Sequence, residues 1–310
     1  MSNNARIGII GNGVMGSAIA RRLLERDVEV FVRDQDPAKM ETLADKGAIA
    51  TTSSADLTEH VDVVITSLNT TDIVEAVAFG ERGIVEAASR EKLLIDMSSI
   101  DPKVTMAMAE RLFAIAGMAW VDAPLSGGAP GALAGRLTLM MGGDPKAVER
   151  AKSVLGHVAA NMTHMGGHGA GQTTKLINQI LCAANFLSVA EATRLALDGG
   201  VDAEKIPAAL EGGRADSRIL QEFMPKMARY DYTVTGRIDN MLKDLEAVQR
   251  YASSMRTPMP LTGLITELHR MMVMAGLGGE DSAAYMKLYD FGYGPSATTS
   301  ETVEDGLRTS

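Results

Sequence analysis

The chain has a single cysteine, Cys182, so no internal disulfide can form and a reducing compartment is expected. Cys182 lies in an apolar run with no adjacent base, which reads as core packing rather than as a reactive thiol. Positive charge is also in short supply: 30 Lys and Arg stand against 39 Asp and Glu, a net charge of −9. That balance argues against nucleic acid or an anionic membrane as the main partner, whereas a small anionic ligand needs only local positive charge. No segment approaches about 18 uninterrupted apolar residues, so no membrane span is expected. Residues 1–6 run straight into an apolar strand, without the h-region or cleavage site of a secretory signal. Together these absences make a cytoplasmic protein the expectation. Aromatics are scarce, at 4%, and the 20 methionines, including Met140-Met141 and Met271-Met272, are read as core filler. No metal site is expected: His164 and His168 are four apart but sit in a glycine-rich loop, without the helix a zinc pair would want.

What is present is 310 residues, 46% hydrophobic and 22% charged, long for one core and comfortable for two. Residues 6–10 read as a short strand, followed at once by Gly11-Asn12-Gly13-Val14-Met15-Gly16. Helical spacing takes over at 17–24, and a second strand at 28–32 ends at Arg33-Asp34. A Gly-x-Gly-x-x-Gly run alone is a weak signal. Here it follows a strand, opens a helix and precedes an acid by about twenty residues, which is the dinucleotide-binding fingerprint in context. Gly11 makes the tight turn, Gly13 lets a pyrophosphate approach the backbone, and Gly16 allows close helix–strand packing. The helix N-terminus supplies free N–H groups to the phosphates. Asp34 can accept both ribose hydroxyls of NAD and would repel a 2′-phosphate. Arg33 could instead embrace that phosphate, but strand alternation sends residues 33 and 34 to opposite sides. NAD is therefore the expected cofactor, with some NADP activity.

Further strands are expected at 61–65, 93–96, 118–121, 137–141 and 161–165. The first two of these end in small polar loops, 66–71 and 97–102, at strand carboxyl ends where open parallel sheets bind ligands. Thr71 and Asp101 are natural caps for the helices that follow. After 118–121 comes Asp122-Ala123-Pro124-Leu125-Ser126-Gly127-Gly128, whose Ser-Gly-Gly turn suits a carboxylate as well as it suits a plain turn.

Between Gly171 and Gly199 there is no Gly or Pro, and apolar residues fall at helical steps. The spacing predicts a helix over about 170–199, roughly 40 Å long. Lys175 and Asn178 share one face of its first turns. A cation there gains nothing from the helix dipole, which favours a functional lysine. Beyond Gly200 the β-type alternation is lost, and helices are expected at 203–210, 217–227, 241–252, 261–275 and 278–290. The expected division is a dinucleotide-binding domain at 1–165, an all-α domain at 166–291 and a polar tail at 292–310.

The glycine turn, the run Asp122 to Gly128, residues 171–179 and Lys243-Asp244-Leu245 occur in the order that resembles the β-hydroxyacid dehydrogenases. That family includes 3-hydroxyisobutyrate dehydrogenase and tartronate semialdehyde (2-hydroxy-3-oxopropionate) reductase. The resemblance covers about residues 6–291. It implies an α/β fold, a doubly wound Rossmann-type sheet domain joined by the long helix to an all-α domain, assembled as homodimers or homotetramers. The implied activity is a reversible NAD-linked oxidation of a small 3-hydroxy acid, a carboxylate-bearing substrate, to its semialdehyde or keto acid. By the same resemblance Lys175 is the catalytic lysine with Asn178 beside it, and Ser126, Gly127 and Gly128 hold the substrate carboxylate. Leu68, Asn69 and Ser99 line the nicotinamide side, and Lys243 reaches it from the helical domain.

A free lysine, with a pKa about 10.4, is a poor base at neutral pH. Burial, the positive nicotinamide and Lys243 are each expected to disfavour the charged form of Lys175. Two residues depart from the family pattern. Asn69 stands where Pro is common, and Gln179 replaces the second Asn of Lys-x-x-Asn-Asn. The Asn-Gln form, with Gly212-Gly213, looks more like the tartronate semialdehyde branch. Imine reductases share the architecture with a different residue at the lysine position, and non-catalytic dinucleotide-binding relatives lose it; Lys175 argues against both.

Overall fold

The computed structural model describes residues 5–289; the polar tail at 292–310 lies outside them. The chain begins β1 (Ile7–Ile10), α1 (Val14–Leu24), β2 (Val30–Arg33), α2 (Pro37–Ala44), β3 (Ile49–Ala50), α3 (Ser54–His60), β4 (Val63–Thr66) and α4 (Thr71–Phe79). It continues with β5 (Leu93–Asp96), α5 (Pro102–Ala116), β6 (Ala119–Asp122), β7 (Leu125–Ser126), α6 (Gly128–Leu133), β8 (Leu137–Gly143), α7 (Pro145–Leu155) and β9 (Ala159–Gly166). Helices follow: α8 (Ala170–Asp198), α9 (Ile206–Leu210), α10 (Arg218–Ala228), α11 (Ile238–Ser254) and α12 (Pro260–Met274), then a 3-10 segment at Ser282–Tyr289.

Local chemistry sets many of these starts. Asp36, Asp101 and Asp144 each precede a proline; the Asp36 carboxylate accepts from one backbone N–H of the first turn and those of Asp101 and Asp144 from two, while Pro occupies a position whose N–H would be orphaned anyway. Thr70, rather than the expected Thr71, caps α4, its hydroxyl accepting from Ile73 N–H. Helices α2, α3 and α7, about two to three turns each, occupy stretches to which the hydrophobic pattern had assigned no element.

Among the described residues, nine strands form one sheet in the order β3-β2-β1-β4-β5-β6-β8-β7, with β9 beside β8. Strands β3 to β6 in that order are mutually parallel, whereas β8 runs antiparallel to β6 and β7 antiparallel to β8. The strand order reverses at β1, so the loops after β1 and β4 part there and leave a crevice at the carboxyl edge. Alternate strand residues feed two cores. Ile7, Ile9, Val63, Ile65, Leu93 and Ile95 pack on one face; Ile10, Phe31, Val64, Leu94 and Trp120 pack on the other. Burial on both faces explains why these strands read as continuous apolar runs.

Two compact units emerge from the packing. One comprises the chain up to Leu181 together with Lys243–Gly263, and the other Cys182–Leu242 together with the chain from Leu264. In the second, buried Asp281 accepts from Thr235 N–H (2.6 Å) and Gly236 N–H (3.1 Å) and pairs with Lys226 (3.2 Å), holding the loop that leads into α11. By length and composition alone α8 could cross a membrane, with a mean hydropathy of 1.4 over an 18-residue stretch. The sequence expectation rested on uninterrupted apolar runs, which Lys175, Asn178 and Gln179 deny this helix.

Candidate active site

The turn after β1 is built so that only glycine fits at two of its three glycine positions. Gly11 has φ +93°, and a Cβ there would lie 2.4 Å from the Ser67 carbonyl oxygen. A Cβ on Gly16 would lie 1.9 Å from the Gly11 carbonyl oxygen, so α1 can begin this close to β1 only without a side chain. Gly13 is different: a Cβ there meets nothing within 4 Å, because the residue faces a cavity of about 740 Å³. Gly13 is also the N-cap of α1, with no side-chain cap bond, and the first turn carries no acid. Its N–H groups are left for an anion, as a pyrophosphate requires. Val14 and Met15 form that first turn, Val14 exposed and Met15 half-buried against the core.

The cavity is lined by Gly11 and Gly13, by Arg33 and Asp34 at the end of β2, by Lys39 on α2, and by Leu68 and Asn69 after β4. Its size suits a dinucleotide. Asp34 accepts from Asn12 N–H (2.6 Å) with one oxygen and from Asp36 N–H (2.9 Å) with the other, and Lys39 Nζ lies 3.7 Å away. The Asn12 side chain is buried, and neither its amide nitrogen nor its oxygen has a partner. The alternation argument for residues 33 and 34 does not hold, because β2 ends at Arg33 and Asp34 lies beyond the pleat. Both therefore line one cavity, with the Arg33 guanidinium donating to the Asp34 carbonyl.

A second cluster gathers on α8 and α11, within the same unit. Lys175 Nζ donates to Gln179 Oε1 at 3.0 Å, and Asn178 Nδ2 donates to the same oxygen at 2.8 Å. Gln179 Nε2 donates to Asp244 Oδ2 at 2.6 Å, and Lys243 Nζ lies 3.4 Å from Asp244 Oδ1. An ionised carboxylate only accepts, so Asp244 orients the Gln179 amide and turns its oxygen toward Lys175. Thr173 Oγ1 and Tyr251 Oη, 3.1 Å apart, add a tie between the two helices. In the sequence Gln179 and Asp244 stand out only as parts of motifs. Their signal was the four-residue step from Lys175 to Gln179, which places both on one face. Lys175, Asn178, Lys243 and Ser99 are not among the residues that line the cavity.

Ser126 ends β7, and Gly127 and Gly128 follow with φ +120° and +61°, backbone that favours glycine. The carboxyl edge of the sheet also carries two buried acids, Asp96 and Asp122, paired in register on β5 and β6. Burial pushes the Asp96 carboxyl up to about 6, against hydrogen bonds from Ser98 and from Thr66 (2.8 Å). Burial likewise raises Asp122. Since folding raises the Asp96 pKa above its ordinary 3.8, the native state holds that proton more tightly. Its contribution to stability is full below the unfolded value and is lost as pH rises through about 6. Asp96→Asn keeps the acceptor oxygen, so its stability relative to wild type is expected to improve from about pH 5 to about pH 7 in denaturant titrations. A difference that is flat with pH would show that Asp96 does not titrate in that window.

A glycine turn opening a helix at the switch point of a parallel sheet, with an acid after the second strand, defines a dinucleotide-binding enzyme of the doubly wound class. The profile of the NAD-binding domain of 6-phosphogluconate dehydrogenase matches residues 6–167, and that of the NAD-binding region of NADP-dependent 3-hydroxyisobutyrate dehydrogenase matches 169–289. L-threonate dehydrogenase of Cupriavidus necator is 34% identical over 290 residues, covering 93% of this chain and 97% of the relative. The 2-hydroxy-3-oxopropionate reductase of Escherichia coli is 34% identical, over 91% and 96%. The structure of Mycobacterium tuberculosis 3-hydroxyisobutyrate dehydrogenase with L-serine superimposes with a TM-score of 0.85 at 26% identity, covering 93% of this chain and 99% of that one. The chain belongs to the β-hydroxyacid dehydrogenase family and is an NAD- or NADP-dependent oxidoreductase of hydroxy acids.

Proposed function

We propose that this enzyme interconverts a small 3-hydroxy acid and its semialdehyde or keto acid, with Lys175 as the proton-transferring group. The observation that carries the reading is Lys175 Nζ held on Gln179 Oε1 at 3.0 Å, with Gln179 itself fixed by Asp244. The nicotinamide, when bound, accepts or supplies the hydride. In the oxidative direction Lys175 takes the proton that the alcohol must lose, and in the reductive direction it returns one to the carbonyl oxygen. Asn178 orients the reacting oxygen or the amine, and Ser126, Gly127 and Gly128 receive the carboxylate. The substrates named for the relatives, L-threonate, 2-hydroxy-3-oxopropionate and 3-hydroxyisobutyrate, are small carboxylates bearing oxygen on carbon 3.

In this reading Leu68, Asn69 and Ser99 face the nicotinamide and Lys243 approaches it, residues 1–165 act as the cofactor domain and 166–291 as the helical domain. The protein works in the cytoplasm as a homodimer or homotetramer, an assembly supported by the exposed apolar residues Ile177, Leu181 and Leu195 of α8. Lys175 disfavours an imine reductase-like activity.

The reading is tested by turnover of tartronate semialdehyde, methylmalonate semialdehyde, succinic semialdehyde and 3-hydroxy acids with both cofactors. At least one small semialdehyde is expected to be reduced, and its amide analogue to react far more slowly. Tight NADH binding without turnover of any of them would point instead to a non-catalytic relative. NAD is expected to be preferred over NADP in kcat/KM, since a 2′-phosphate forfeits the ribose hydrogen bonds to Asp34, while Arg33 and Lys39 in the same cavity leave some NADP activity. A preference for NADP, undiminished in Arg33→Ala, would remove Asp34 from the ribose.

A further inference from the structure

The N-terminus of α8 is seated on the sheet by a buried carboxylate. Asp122, the last residue of β6, accepts from Gly169 N–H at 2.9 Å with one oxygen and from Gln172 N–H at 3.1 Å with the other. Two glycines permit this approach. A Cβ on Gly142 would lie 2.7 Å from both Asp122 oxygens, and one on Gly171 would lie 2.8 Å from Oδ2 and 2.4 Å from the Met140 carbonyl oxygen. The helix is therefore held at fixed height, but backbone bonds at its end leave its rotation to other contacts.

Gln172 supplies them. The residue is 1% exposed. Nε2 donates to the Ser98 carbonyl at 2.9 Å, and Oε1 accepts from Ile100 N–H at 3.1 Å, so one amide grips the backbone on both sides of Ser99. Ser98 extends the chain of contacts: its Oγ accepts from Leu68 N–H at 2.9 Å, and its N–H donates to Asp96 Oδ1 at 3.1 Å. The Gln172 side chain thus ties the helix that carries Lys175 to the loop that carries Ser99, and the Ser98 hydroxyl ties that loop to the one that carries Leu68. A neutral amide donates and accepts at once at any pH, and so makes both bonds without adding a charge near the buried acids Asp96 and Asp122.

We infer that Gln172 is a positioning residue, whose amide fixes the offset between Lys175, three residues along α8, and the loops that receive the nicotinamide. The inference deepens the reading of Lys175 and rests on it for its catalytic consequence. It predicts a role for a residue that contacts no reacting atom: misplacement of about an ångström is enough to slow a reaction by about 100-fold.

Gln172→Met removes both hydrogen bonds at similar volume. Its kcat per NADH-binding site is expected to fall about 10- to 100-fold, with the NADH Kd from fluorescence titration changed less than about 3-fold. In the cofactor-free protein, amide hydrogen exchange at residues 98–100 and 173–176 is expected to accelerate. Should that variant fold poorly, Gln172→Glu serves: its protonated carboxyl can donate to Ser98 and accept from Ile100, its ionised form cannot donate. The ratio of its kcat to that of wild type is then expected to rise as pH is lowered from about 9 to about 5, with Asp96 and Asp122 present in both proteins. A merely structural residue would lower the melting midpoint and the yield of active protein without moving that ratio. Wild-type kcat per site in Gln172→Met, or a flat ratio in Gln172→Glu, overturns the inference. Unchanged exchange at 98–100 overturns the clamp whatever Lys175 does. Retained turnover in Lys175→Ala, by contrast, sinks the catalytic reading alone and leaves the exchange result to decide whether Gln172 fixes the loop.

Discussion

Lys175→Ala is expected to lose turnover by about 100-fold or more while binding NADH with wild-type affinity. The split follows from where the residue sits. Lys175 lies in the cluster with Gln179, Asn178 and Asp244, whereas the cavity that suits the dinucleotide is lined by other residues. In the proposed mechanism, removing the amine deletes the group that exchanges a proton with the reacting oxygen, while the residues lining the dinucleotide cavity stay in place. Lys175→Arg should fare little better, since a guanidinium stays protonated and cannot act as a base. The measurement is single-turnover reduction of an accepted semialdehyde beside a fluorescence titration of NADH. Near-normal turnover in the alanine variant would take Lys175 out of the mechanism; a parallel loss of NADH binding would place it in the cofactor site instead.

The second large effect is expected from the glycine turn, and it separates two glycines that look alike in sequence. Gly16→Ala puts a methyl group 1.9 Å from the Gly11 carbonyl oxygen. The turn cannot yield easily, because Gly11 N–H donates to the Arg33 carbonyl at 2.9 Å and Asn12 N–H donates to Asp34 at 2.6 Å. Overpacking of this kind costs about 1–3 kcal/mol, so both the melting midpoint and the NADH affinity should fall, the latter by about 10- to 100-fold. Gly13→Ala adds its methyl group to open space. That variant is expected to melt as wild type does and still bind NADH more weakly, because the methyl group occupies the approach of the pyrophosphate. Calorimetry with and without NADH reads both quantities. If Gly13→Ala bound NADH normally, the dinucleotide would not lie over this turn.

The two halves of the site differ in how far they can be read from the chain. The glycine turn, the acid after β2 and the Asp-Pro helix starts are local: each is a backbone conformation or cap set by residues within a few positions, so residue types alone reveal them. The long helix is equally local, since nothing between Gly171 and Gly199 interrupts its period. Where the local rule ran past the end of its element it failed. Arg33 and Asp34 share a cavity because the strand stops between them, and the pleat no longer sends them apart.

By itself, then, the sequence determined that a dinucleotide-binding βα turn stands at residues 6–24, that a helix over about 170–199 follows the strands, and that a lysine stands in that helix's first turns. Only the tertiary structure decided what that lysine is tied to. Gln179 meets Asp244 across 65 positions of chain, and Gln172 meets Ser98 across 74. The reversal of β8 against β6, which sets Gly142 opposite Asp122, is likewise invisible in hydrophobic period. A side-chain amide has no periodic signature, and its partners are whichever polar groups the finished sheet leaves unpaired at its carboxyl edge. Burial then favours those pairings, because leaving a buried polar group unsatisfied costs about 1–3 kcal/mol.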